Sequence, residues 1–250
     1  MRRIPEERFD ELVRAAVEVF IERGYRRTQM SDVADALGVA KGTLYGYVES
    51  KEALFALCLR YADHVGPVPR PPALPLATPR PGELEAEVAQ RLAAESVPPA
   101  LAEALRHPRA KAPRDELDSV LFDLFDALSA HRRTIKLIDR CMDHPELGGI
   151  WQSAGRESVR AALRRYLEAR SAAGQLRSQP NPRLAARIVV EQVTTWAVHI
   201  HWDRAPEAID PAEARTTVVD FLARALLDPA QILAPARRRA AGRGRTTGRA

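Results

Sequence analysis

The stretch Thr28-Gln-Met-Ser-Asp-Val-Ala-Asp-Ala-Leu-Gly-Val-Ala-Lys-Gly-Thr-Leu-Tyr-Gly-Tyr47 decides the fold. It reads as two short helices joined by a glycine turn. Met30, Val33, Leu37, Val39 and Leu44 fall at the inner positions, and Gly38 supplies the turn between the helices. Lys41, Gly42, Thr43, Tyr45, Gly46 and Tyr47 crowd the second helix with small, basic and hydroxyl-bearing residues. A helix-turn-helix offers such a helix to the major groove of double-stranded DNA.

The flanks extend this into a small helical domain. Upstream, Phe9, Leu12, Val13, Ala16, Val17, Phe20 and Ile21 repeat at helical spacing and form one apolar stripe. Gly24 closes that helix as a left-handed cap, and Thr28 offers a hydroxyl N-cap to the next. Downstream, Ser50 opens a fourth helix carrying Leu54, Phe55, Leu57, Cys58 and Tyr61. Three small helices closing on one core would bury Phe9, Leu12, Ala16, Phe20, Val33, Leu37, Val39 and Leu44.

The run Ala15-Ala16, Phe20, Gly24-Tyr25, Thr28, Val33-Ala34, Gly38-Val39, Gly42 to Tyr45, Tyr47, Lys51 and Leu54 resembles the DNA-binding domain of the tetracycline-repressor (TetR) family, over roughly residues 6–64. The resemblance implies an all-α protein. A three-helix helix-turn-helix domain would stand at the N-terminus, followed by a helical ligand-binding and dimerisation domain. It also implies a transcription regulator that binds a palindromic operator as a homodimer, most simply a repressor released by a small-molecule effector. Carried over by position, the DNA contacts would be Thr28, Lys41, Gly42, Thr43, Tyr45, Gly46, Tyr47 and Lys51. In that scheme Tyr47 and Lys51 clamp phosphates, while Lys41, Thr43 and Tyr45 reach phosphates or base edges. Two departures stand out. Ala40 replaces the polar N-cap common in the family, a loss of about 1 kcal/mol of helix stability. Gly46, read as lying inside the recognition helix, costs about another 1 kcal/mol relative to Ala.

Net charge does not carry the DNA-binding reading. The chain has a formal charge of +5 over 250 residues, but residues 235–250 hold six Arg and no acid. Residues 1–64 hold ten Lys and Arg against eleven Asp and Glu, so motif geometry must carry it instead. The basic tail reads as disordered, either solvated or attracting phosphate without specificity.

Other function classes find little support. Cys58 and Cys141 sit in helical patterns as small core residues, which suits a reducing cytoplasm. The N-terminus lacks an apolar signal region, and no apolar run approaches the ~18 residues of a membrane span, so a cytoplasmic protein is expected. There is no Gly-rich nucleotide loop, nucleophile elbow or metalloprotease helix, so no enzyme and no cofactor are expected. His199 and His201 point to different faces of a helix, which disfavours a metal site. Two alternatives stay open: an architectural DNA binder without an effector, and a helical enzyme with scattered acid–base groups.

The chain divides into residues 1–64 as the DNA-binding domain, 65–82 as a linker, 83–230 as the regulatory domain and 231–250 as the tail. Seven prolines in residues 66–82 forbid helix and predict a stiff extended connector, longer than the family usually has there. Helical stretches are expected at 83–95, 98–107, 114–130, 131–142, 146–172, 182–202 and 210–228, nine or ten helices in all with the first domain. The last two carry wide apolar faces. Ile188, Val189, Gln192, Val193, Val218, Phe221, Leu222 and Ala225 would join a partner's equivalents in a four-helix bundle. Phe122, Phe125, Cys141, Trp151, Trp196 and His199 are the candidate lining of an effector cavity between the helices spanning 114–202.

Overall fold

A computed structural model describes residues 6–69, 71–95, 97–144 and 147–229. The expectations for the Arg-rich tail fall outside the described residues. Among the described residues the fold is all-helical, with two isolated β-bridges and no strand. The first four helices are α1 (Glu6–Arg23), α2 (Met30–Leu37), α3 (Lys41–Leu44) and α4 (Lys51–Tyr61). There follow α5 (Glu83–Glu95), α6 (Pro99–Ala104), α7 (Pro113–Ala130), α8 (Arg132–Arg140), α9 (Leu147–Ile150), α10 (Ser158–Ala172), α11 (Pro182–Ala197) and α12 (Pro211–Leu226).

Helix α1 is the hub of the N-terminal unit, packing on α2, α4 and α8. Its apolar stripe is buried from Phe9 to Ile21 against Val33, Leu44, Leu54 and Phe55, a single core that excludes water from one face of each helix. Leu37 and Val39, expected inside, are only partly buried, because α2 and α3 close the outer edge of this core. Gly24 does end α1, at φ +79°, and a Cβ there would stand 3.0 Å from the Arg140 carbonyl at the end of α8. Glycine is thus required both for the turn and for the approach of α8.

Several caps differ from the sequence reading. Helix α2 starts one residue later than expected, with Gln29 as N-cap, its amide donating to the Asp32 carboxylate at 2.8 Å. The Thr28 hydroxyl turns back and donates to the Gly24 carbonyl at 2.7 Å, which closes the loop rather than capping the helix. Ser50 caps α4 as read, and Asn181 and Asp210 cap α11 and α12, each accepting a backbone N–H.

The proline-rich segment does not stand free between the units. Its Val68 amide donates to Asp10 at 2.6 Å, and Leu76 pairs with Val48 in a parallel bridge. The Leu76 amide donates to the Tyr47 carbonyl at 2.8 Å, and the Glu49 amide donates to the Leu76 carbonyl at 2.9 Å. A segment without helix must find other partners for its amides, and this one finds them along residues 47–50.

The expected long helix over 146–172 is interrupted. Residues Trp151–Glu157 form a π-helical turn between α9 and α10. The Trp151 ring lies on Gly155, where a Cβ would come within 2.6 Å of it. Widening the helix by one residue per turn makes room for the indole beside its own backbone. The expected helix over 182–202 likewise stops at Ala197 and tightens into a 3-10 turn, His199–Trp202.

Candidate nucleic-acid interface and effector cavity

The helix-turn-helix presents an outward face of defined composition. Ala40, Lys41, Gly42, Thr43, Tyr45 and Gly46 are exposed in sequence, while Leu44 between them is fully buried and anchors the segment. Tyr45 is 44% exposed, its ring on this outward face. Helix α3 ends at Leu44, so Gly46 lies in the following turn and imposes no penalty within a helix.

Three of the predicted contacts are drawn into the fold instead. Tyr47 is 1% exposed and its ring stacks on Phe9, so its hydroxyl is not offered to a phosphate. Thr28 is buried by its bond to Gly24. The Lys51 ammonium lies 4.4 Å from the centre of the Tyr25 ring and donates to the carbonyls of Tyr25 and Thr28 at 3.2 and 3.3 Å. It ties the start of α4 to the loop before α2. The outward set is therefore Lys41, Gly42, Thr43, Tyr45 and Gly46.

Helix α8 joins this unit to the rest. At its N-terminus the Asp63 carboxylate accepts from the amides of Arg133 and Thr134 at 2.8 and 3.2 Å. At its C-terminus the Arg140 guanidinium donates to the Ile21 and Glu22 carbonyls at 2.8 and 2.9 Å. An anion at the N-terminus and cations at the C-terminus also suit the helix dipole. Arg26 adds a bond to the carboxylate of Asp143 through its amide, at 3.1 Å.

The opposite face of α8 lines a cavity of about 120 Å³. Its walls are overwhelmingly apolar: Leu59 of α4, Val88 of α5, Leu124 and Leu128 of α7, and Ile135 and Ile138 of α8. Trp151, Gly155 and Val159 form the wall shared with a second, more polar cavity of about 360 Å³. There the Asp139 carboxylate accepts from the Trp151 indole at 2.7 Å and from Arg156 at 2.5 Å, with His199 at 3.8 Å. Burial pushes the His199 imidazole below its usual value, opposed by the Asp139 charge.

Of the predicted lining, Trp151 and His199 reach these cavities. Phe125 and Trp196 line a separate hollow near the start of α12. Phe122 sits under the Arg215 guanidinium, 4.2 Å from the ring centre. Cys141 is core at the junction with α1, its thiol pushed up to about 12 by burial. Leu59, Leu128 and Ile138 were not singled out from sequence, since a cavity-lining aliphatic repeats at the same spacing as a packed one.

The predicted dimer residues divide in two. Ile188, Gln192, Phe221 and Ala225 face outward, with Ile188 49% and Phe221 71% exposed. Val189, Val193, Val218 and Leu222 point inward and are core, because the wide stripes also cover α7 and α10. Leu184, 51% exposed, joins the outward set.

Residues 12–58 match the family model described as bacterial regulatory proteins, tetR family. Residues 126–225 match that of the AefR-like transcriptional repressor, C-terminal domain. A transcriptional activator of Mycolicibacterium smegmatis, FasR, is 42% identical over 65 residues, 25% of this chain and 30% of that protein. The transcriptional repressor KstR2 of the same organism is 39% identical over 56 residues, 22% of this chain and 27% of its own. These matches span under a third of either relative. The structure of the ketosteroid transcriptional regulator KstR2 of Mycobacterium tuberculosis superposes with a TM-score of 0.56 at 17% identity, covering 90% of this chain and 97% of that one.

Proposed function

The chain belongs to the TetR family of transcriptional regulators, and from that premise we propose that it is a repressor that binds a palindromic operator as a homodimer and leaves it when an apolar small molecule fills the cavity beside α8. The family consists of regulators rather than enzymes. Among the described residues no helix is long and apolar enough to cross a membrane.

One observation carries the effector reading: a cavity walled by α4 and α8, with α8 bonded at both ends to the reading unit. A ligand seated against Leu59, Ile135 and Ile138 pushes on the two helices that hold α1 in place. It shifts the balance only through its different affinity for the DNA-competent and released arrangements. The outward faces of α11 and α12 supply the twofold contact, placing two reading segments on successive turns of one face of DNA.

The test begins with selection of bound duplexes from random sequence, which yields the operator. Apolar compounds are then titrated into the complex and release is followed by fluorescence anisotropy. Leu128→Trp, which fills the cavity, is expected to abolish the response while leaving operator binding in place. A chain that binds the operator equally with and without every compound, and whose filled variant behaves the same, rejects the effector reading. It would leave a DNA binder without a ligand.

A further inference from the structure

The recognition segment is weakly held by its own residues. Helix α3 is four residues long, far short of a length stable by itself, and its N-cap Ala40 supplies no side-chain bond. Leu44, Tyr47 and Val48 anchor the segment in the core. The Tyr47 carbonyl and the Glu49 amide then bond to one residue of the proline-rich segment, Leu76, at 2.8 and 2.9 Å. Further along, the Thr78 amide donates to the Glu49 carboxylate at 3.0 Å, and its hydroxyl donates at 2.9 Å to that of Ser50, the cap of α4. This strap is fixed on either side of Leu76. Before it, the Val68 amide donates to Asp10 of α1 at 2.6 Å. After it comes α5, clamped to α4 by Arg60 on the Glu87 carboxylate at 2.7 and 2.6 Å and by Arg91 on the Leu59 carbonyl at 2.8 Å.

The composition of the strap suits docking. Seven prolines in residues 66–82 restrict the chain before it docks, which lowers the entropy lost on ordering it. Val68, Leu76 and Thr78, each beside a proline, carry the amides that donate to the reading unit.

We propose that the strap positions the DNA-reading segment: Leu76 holds the turn after α3 in the arrangement that DNA accepts, without itself touching DNA. The proposal rests on the DNA-binding reading above and deepens it. A site that is only partly populated in its competent arrangement loses apparent affinity in proportion to that fraction. Releasing the backbone bonds that end a four-residue helix therefore weakens DNA binding although every outward side chain is kept.

The test compares the full chain with Leu76→Pro, which has no amide for the Tyr47 carbonyl, and with Leu76→Val, which keeps it. Operator affinity, read by anisotropy at several salt concentrations, is expected to fall roughly tenfold in Leu76→Pro and to stay within about twofold in Leu76→Val. Hydrogen exchange at the amides of residues 43–49 should quicken in Leu76→Pro without DNA. The salt dependence of binding should be the same in all of them, because no phosphate contact is removed. Thr78→Val, which loses only the hydroxyl bond to Ser50, should cost about threefold and carries the test where the proline variant does not fold. Equal operator affinity in the folded variants overturns the proposal and leaves the DNA-binding reading standing. A loss that only matches the fraction of unfolded protein in thermal melts overturns it too. So does a shallower salt dependence in Leu76→Pro, because the strap would then touch phosphate itself. An unaltered chain that binds no duplex overturns both readings.

Discussion

At Gly42 a Cβ would meet nothing within 4 Å, so the folded chain itself makes no demand for glycine there. In the proposed reading the exposed segment lies against a DNA backbone, whose close approach would make that demand instead. Gly42→Ala is expected to leave the melting temperature unchanged or raise stability by up to about 1 kcal/mol, while operator affinity falls roughly tenfold. Thermal melts and anisotropy on one preparation decide it, and unchanged DNA binding would show that the backbone stays clear of the duplex. Lys41 separates two kinds of contact. Lys41→Ala should lose about 1–3 kcal/mol on the selected operator if it reads a base, and lose equally on scrambled DNA if it touches only phosphate. Arg170 makes the opposite case, a charge wholly inside. Its guanidinium donates to the Glu116 carboxylate at 2.6 Å and to the carbonyls of Ala104 and His107 at 2.6 and 2.8 Å, which ties α10 to α6 and α7. Arg170→Met strands those three acceptors and should destabilise the fold by about 3–5 kcal/mol, measured by urea unfolding; a loss under about 1 kcal/mol would mean that water replaces it.

In the proposed reading, helix α8 is the element through which a ligand is felt. It lies outside the helix-turn-helix, yet Asp63 and Arg140 fasten its two ends to the segment after α4 and to α1. Arg140→Ala should therefore keep operator affinity and weaken the ligand's effect on it, a coupling that in such systems is typically about 1–3 kcal/mol. Operator titrations with and without a releasing compound measure that difference directly, and an undiminished response would place the coupling elsewhere. Elements were legible from sequence where a local rule governed them. The α1 stripe, the Gly24 turn and the Ser50, Asn181 and Asp210 caps all follow from spacing and side-chain chemistry. Elements governed by distant contacts were not. Tyr47 turns inward onto Phe9, a stacking partner far back in the chain, and α3 ends at Leu44. The π-helical turn carries the Trp151 ring over Gly155, and the proline-rich segment docks through backbone hydrogen bonds to Tyr47 and Glu49. Aliphatic residues around a cavity repeat like those around a packed core, so the space between them leaves no mark in the pattern.

On the scale of the whole molecule, the apolar surface left outside is concentrated where a second copy would cover it. Leu184 and Ile188 on α11 and Phe221 on α12 are each about half exposed or more, and the two helices pack on one another as a single face. Isolated exposed aliphatics are ordinary, but three large ones on adjoining helices form a patch that water disfavours. Their inward neighbours Val189, Val193, Val218 and Leu222 fix the helices to α7 and α10, so the outer row can be changed without opening the core. Ile188→Glu combined with Phe221→Glu would place two carboxylates opposite their own copies across a twofold axis. The expected product is a folded monomer, with unchanged helical content by circular dichroism and half the mass in sedimentation. Each reading head would then have only its own half-site. Operator affinity should fall by roughly a hundredfold or more, as the second contact ceases to be intramolecular, while affinity for a single half-site stays the same. A double variant that still sediments as a dimer would move the subunit interface away from α11 and α12. One that binds the full operator as before would detach DNA recognition from twofold assembly altogether.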